Sequence, residues 1–257
     1  MKQFLTRAIL ASTLAMLPAV SDANSITFSG TNGSNLSASA TFSNDIAGFL
    51  TITLTNASLA DANVPMDVLT AVFFNLNAGA SLSATGSSAT LAPGSSVVYD
   101  PQGQPAGGNV GGEWAVQTDV SNTYNANFGL SSSGLGGVFG QPNLNGLNLA
   151  GPAALGGLQY GILPAGWSAL GDNGGLTHTD GLIKNSVVFL IASTGPLTGV
   201  GNVTFQYGTA LNEGHLTGDG GADVTLFETS VPDGGTTSIL LGLSMVGVAY
   251  ARRKFSI

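Results

Sequence analysis

Polar and apolar positions alternate with period two along much of this chain. Leu36, Ala38, Ala40 and Phe42 fall on one side of an extended strand, and Ser37, Ser39, Thr41 and Ser43 fall on the other. Leu50, Ile52 and Leu54 alternate with Thr51, Thr53 and Thr55; Val203, Phe205 and Tyr207 alternate with Thr204 and Gln206. Each pattern predicts a half-buried antiparallel strand, apolar toward a core and hydroxylic toward water. Residues 68–76 and 187–191 are apolar on both faces and predict central strands. Further strands are expected at 26–29, 81–85, 113–118, 158–163 and 223–229.

Gly, Asn, Pro and Ser clusters separate these runs, and no helical periodicity competes with them. Many short strands spaced by turn signals predict an all-β fold: an antiparallel β-sandwich, jelly-roll-like, with a barrel as the alternative. The middle differs. Residues 129–181 hold fifteen glycines, with Pro142, Pro152 and Pro164. That density predicts long Gly-rich loops crossing the sandwich, or an insertion of little regular structure.

Two segments break the pattern. Lys2 and Arg7 precede an apolar stretch at 8–17, Pro18 ends it, and Ser21-Asp22-Ala23 offers the small residues that a signal peptidase reads. The expectation is a signal peptide, residues 1–23, cut after Ala23 and engaged by the general secretion machinery. An uncleaved anchor is the alternative, but ten apolar residues are few for a span. At the other end, Val231-Pro232-Asp233-Gly234-Gly235 precedes an apolar run at 236–251 and then Arg252-Arg253-Lys254. As a helix, that run would be about 24 Å long, against about 30 Å of bilayer hydrocarbon. Length alone suits a buried core helix. The run is nevertheless apolar all round, and the basic cluster acts as a stop that resists translocation. Pro232 and the two glycines do not continue a helix, so they favour an extended, accessible backbone.

Charge changes the picture most. The domain between the two segments, residues 24–230, holds one lysine and twelve carboxylates, a formal charge of −11. Such a domain repels phosphate backbones and anionic lipid, so nucleic acid is excluded as a partner. It attracts divalent cations. Cysteine is absent, so no disulfide helps the core despite export.

Candidate chemistry is sparse. His178 with Asp180 lacks the nucleophile elbow that a Ser-His-Asp site would need, and reads more simply as a loop histidine. Glu213, His215, Asp219 and Asp223 gather around a glycine-rich stretch, and such oxygen ligands beside flexible glycines suit Ca²⁺. The spacing matches no established calcium loop, and a polar hairpin loop is the simpler reading. Asp172-Asn173-Gly174-Gly175 is a poorer version of the same idea. Trp167 would stack on a sugar if exposed, and Trp114 lies in a strand-like stretch that predicts burial. Asn32, Asn35, Asn56 and Asn202 head glycosylation sequons, which arise easily in so Asn-, Ser- and Thr-rich a chain.

The tail resembles the PEP-CTERM sorting signals, in the variant that begins Val-Pro-Asp-Ser-Gly; Gly234 stands where that variant has serine. The resemblance covers residues 231–257 alone. It implies an exosortase-like membrane transpeptidase as partner, transient anchoring in the inner membrane through 236–251, removal of the tail, and delivery to a Gram-negative cell surface or matrix. The expected function is that of a non-enzymatic exported protein associated with exopolysaccharide. A carbohydrate-binding sandwich, with or without Ca²⁺, is the alternative, and a secreted hydrolase is a more distant one.

Overall fold

The computed structural model describes residues 25–33, 35–99, 104–120, 123–139, 148–149, 157–168, 176, 181–219, 224–225 and 253. The described elements are strands, joined by short 3-10 turns. In chain order they are β1 (Ser25–Thr31), β2 (Ser37–Ser43), β3 (Phe49–Asn56), β4 (Leu69–Leu76), β5 (Ser81–Leu91), β6 (Ser96–Val98) and β7 (Ala115–Thr118). β8 (Phe128–Ser131), β9 (Ile162–Leu163), β10 (Leu182–Lys184), β11 (Ser186–Thr194), β12 (Gly199–Tyr207), β13 (His215–Thr217) and β14 (Val224–Thr225) follow. The architecture is all-β. Among the described residues no helix is long and apolar enough to cross a membrane. The leader with Ala23 and the run at 236–251 lie outside the described residues.

The strands form two sheets. The first has the order β1-β2-β3-β11-β5 and is antiparallel throughout. The second runs β13-β12-β4-β9-β10-β6, with β14 on β12, β8 on β4 and β7 on β8. β9 and β10 pair in parallel. Inward residues of both sheets share one apolar cluster that includes Phe42, Ile52 and Phe189 of the first, and Val72, Phe74 and Phe205 of the second. Aromatic contacts cross the interface: Phe42 meets Phe74 edge-on at 5.2 Å, and Trp114 meets Phe189 at 4.9 Å.

The period-two strands appear where their pattern places them. Ala38, Ala40, Phe42, Leu50, Ile52 and Leu54 are all inaccessible, while the hydroxyl residues between them stay partly open. β4 is central and buried on both sides, as its unbroken apolar run predicts. Leu69, Val72 and Phe74 face the shared core, whereas Ala71 and Phe73 join a second cluster with Leu135 and Phe139. Part of the glycine-rich middle therefore packs on the outer side of the second sheet. β8 is a strand of that sheet beside β4, and a Cβ at Gly129 would sit 2.8 Å from Phe139 Cζ and 3.0 Å from Phe73 Cδ1. Glycine is what lets that layer close.

Several expected strands are revised. β12 is not half-buried, because Thr204 and Gln206 are buried as fully as their apolar neighbours. Gln206 spends its amide on the carbonyls of Tyr207, Ala210 and Gly214, and its carbonyl accepts from the Tyr124 hydroxyl. A fully bonded polar side chain is stable inside, and period-two reading cannot see that. β11 is flanked by strands on both edges, yet Val188 and Leu190 are only half-buried. Of 158–163 only Ile162 and Leu163 are extended, after a turn at 157–160; of 113–118, residues 111–113 form a 3-10 turn before β7.

Tyr207 is wholly buried, and burial pushes its phenol well above the usual value of 10.0, partly offset by the Ser58 side chain and the Ser37 backbone. Burial shifts Tyr124 the same way. A raised folded pKa stabilises the fold in full below the unfolded value and is lost as pH climbs toward the folded one. The urea midpoint is thus expected to fall above pH 10, and Tyr207→Phe to flatten that decline. An equally steep alkaline decline in the variant would remove Tyr207 as its source.

Candidate functional site

The Glu213 region is a hairpin loop between β12 and β13. Glu213 Oε2 accepts the amides of Thr209 and, at 2.8 Å, Ala210, so the carboxylate closes its own turn. Gly208, at φ +76°, leaves no room for a Cβ beside that carboxylate. Asp219 does a different job. Its Oδ1 accepts Ser29 N at 2.8 Å while its own amide donates to Ser29 O at 2.7 Å, covering the open edge of β1. Asp223 lies outside the described residues. Among the described residues no group of three or more His, Cys, Asp or Glu side chains gathers to hold a metal. His215 on β13 is exposed and lies against the Tyr124 ring at 4.9 Å. His178, Asp180 and 172–175 lie outside the described residues.

Trp167 is not an exposed platform. It is 7% accessible, its Nε1 donates to Ala62 O at 3.0 Å, and its ring meets Tyr99 edge-on at 5.2 Å. A third apolar cluster holds it with Ala62, Val68, Leu163 and Leu182. The indole satisfied its N–H and buried its apolar body at once, which a position in the sequence does not reveal. Trp114 is buried as expected. Lys184, the only basic residue of the 24–230 domain, donates to Trp167 O at 2.7 Å and so helps fix this corner.

Beside that corner lies a small polar depression that sequence reading missed, lined among others by Asn35, Ser58, Asp61, Asn63 and Asp67. Both carboxylates are already engaged. Asp61 accepts the Ser168 amide and hydroxyl, and Asp67 Oδ2 accepts the amides of Asn63 and Val64. The only sequence signal is turn composition at 61–67, which says nothing of Ser168. Of the sequons, Asn56 is buried and donates to Ile162 O at 2.8 Å, and Asn202 donates to Tyr124 O and Asn125 O. Asn202 is half-buried, and Asn32 and Asn35 are exposed.

The described residues therefore define an all-β domain in which Glu213, Asp219, Trp167, Asp61 and Asp67 each serve a hydrogen bond of the fold. The chain carries a VPDSG-CTERM motif: the family model of that description matches residues 230–255. This is a PEP-CTERM-like C-terminal sorting signal, which marks an exported, surface-directed protein for an exosortase-type processing system. Val231, Pro232, Asp233, Gly234 and Gly235 lie within the match, as do Arg252, Arg253 and Lys254. Of these eight only Arg253 is described, and it is exposed. No curated protein and no solved structure matches the chain.

Proposed function

We propose that the chain is a non-enzymatic surface or extracellular-matrix protein: a β-sandwich of residues 24–230, delivered by a cleaved leader and released from its tail by an exosortase-like transpeptidase. The sorting motif at 230–255 carries this reading. The shared core between the two sheets supports a sandwich over a barrel, since inward residues of both sheets enter one cluster. The candidate residues support a structural role, because Glu213, Asp219 and Trp167 each serve a hydrogen bond of the fold. In the matrix the domain would associate with exopolysaccharide.

Truncation after Ser230 tests the reading. Without motif, apolar run or basic stop, the protein is expected to accumulate as soluble periplasmic material and to be lost from the cell surface. Fractionation of the native host reads both compartments. Surface display equal to that of the full chain would overturn the proposal.

A further inference from the structure

The outward face of the first sheet is an ordered array of hydroxyls. In register across the sheet stand Thr27, Thr41, Thr53, Val188 and Thr90. The next row holds Ser25, Ser43, Thr51, Leu190 and Ser88, and on the other side Ser29, Ser39 and Thr55 align. Apart from Ser43, which is itself buried, these side chains alternate with the buried core residues of their strands, so they share one face. Strand geometry spaces them about 4.8 Å apart across the sheet and about 7 Å along it. None of these rows contains an ionisable residue.

That neutrality is unusual for a solvent-facing sheet, where charged side chains normally hold water and discourage pairing with other chains. Among the described residues, charge sits only at the margins of this face. Asp45 accepts the Ser43 hydroxyl at 2.9 Å, and Asp219 binds the Ser29 amide. Within the array Thr27 and Thr41 share a hydrogen bond of 2.7 Å. Among the described residues, the hydroxyls of Ser39, Thr51, Thr53, Thr55, Ser88 and Thr90 make no hydrogen bond to the protein.

We infer that this face binds a neutral polysaccharide, laid across β2, β3, β11 and β5. Each serine or threonine hydroxyl both donates and accepts, as sugar hydroxyls do. Half-buried Val188 and Leu190 form an aliphatic ridge between the hydroxyl banks, with Phe49 and Ala192 paired at its end. Such a ridge suits the C–H face of a sugar ring, as sugar sites combine apolar contact with a few polar anchors. Charge selects the kind of polymer. A domain of formal charge −11 holds off polyanions, while its neutral face sets no barrier to an uncharged chain. Individually weak contacts repeat along both partners, so binding gains from multivalency. The inference rests on the matrix reading only for where the polymer would be met.

The test uses the full chain, extracted from membranes of expressing cells in mild detergent. It is passed over microcrystalline cellulose, chitin and cross-linked dextran, with carboxymethyl cellulose as the anionic comparator. Retention is expected on at least one neutral polymer and not on carboxymethyl cellulose. Replacing Thr41, Thr53 and Thr55 with valine keeps strand propensity and removes three hydroxyls, and should lower the bound fraction about tenfold or more. Should that variant fail to fold, Thr53→Lys, which charges the centre of the face, is expected to lower retention too. No retention on any neutral polymer, or unchanged retention in the folded variants, overturns the inference. Thermal hysteresis without polysaccharide retention would assign the array to ice instead. The uncut chain is assayed, so failure of sorting in cells leaves this result untouched, and failure here leaves the sorting result untouched.

Discussion

Replacing Pro232 and Asp233 with alanine is expected to leave the protein as an uncut, membrane-held precursor. The two parts of the tail do separate work. On the proposed reading the run at 236–251 and the basic stop at 252–254 resist full translocation, and the substitution leaves both intact. What it removes is the recognised segment: the sorting-signal match spans 230–255 and includes both residues. Alanine also lacks the fixed φ of Pro232 and the carboxylate of Asp233, so neither chemical mark of the motif remains. A processing enzyme that recognises the motif would then have no segment to engage. The measurement is mass spectrometry of the C-terminal peptide. Surface-extracted wild-type protein should lack Phe255-Ser256-Ile257, and the variant should retain them in the inner-membrane fraction. Recovering those residues on surface-exposed wild-type protein would reduce the tail to a simple anchor.

Sequence patterning was most legible where one strand face meets water and the other meets the core. β2 and β3 satisfy that condition, and Ala38, Phe42, Ile52 and Leu54 fall where alternation puts them. The pattern fails where a polar side chain is buried, as at Thr204 and at Gln206, whose amide is fully bonded. It also fails where strands are too short to show a period. β6, β10 and β13 have three residues each, and β8 is masked by Gly129, whose missing side chain is required by Phe73 and Phe139. Site residues were harder still. Trp167 and Asp61 meet Ala62 and Ser168 across loops far apart in sequence, which no local pattern encodes. The sorting motif was legible, because a sorting signal is read as linear sequence rather than assembled by folding.

The fold itself is expected to fail most sharply at Phe74. Phe28, Phe42, Phe74 and Phe128 form a continuous aromatic line, with centroid separations of 5.8, 5.2 and 5.9 Å. Phe28 and Phe42 belong to the first sheet, Phe74 and Phe128 to the second. Phe74 therefore bridges the sheets at a point where both neighbours are rings of strands that hydrogen bonding already fixes. Its inward side faces Phe42 from the middle of β4, which β12 and β8 clamp on either edge, so the backbone cannot collapse into a vacated site. Phe74→Ala thus loses the transfer energy of the ring and leaves an unfilled cavity, about 3–5 kcal/mol together. Domains of this kind are stable by about 5–15 kcal/mol, and this one has no cysteine to restrain its unfolded state. Urea unfolding of the form truncated after Ser230 measures the loss. Thr53→Ala on the outer face should cost about 1 kcal/mol or less, a β-propensity effect without a cavity. A Phe74→Ala cost as small as that of Thr53→Ala would show that the aromatic line does not hold the two sheets together.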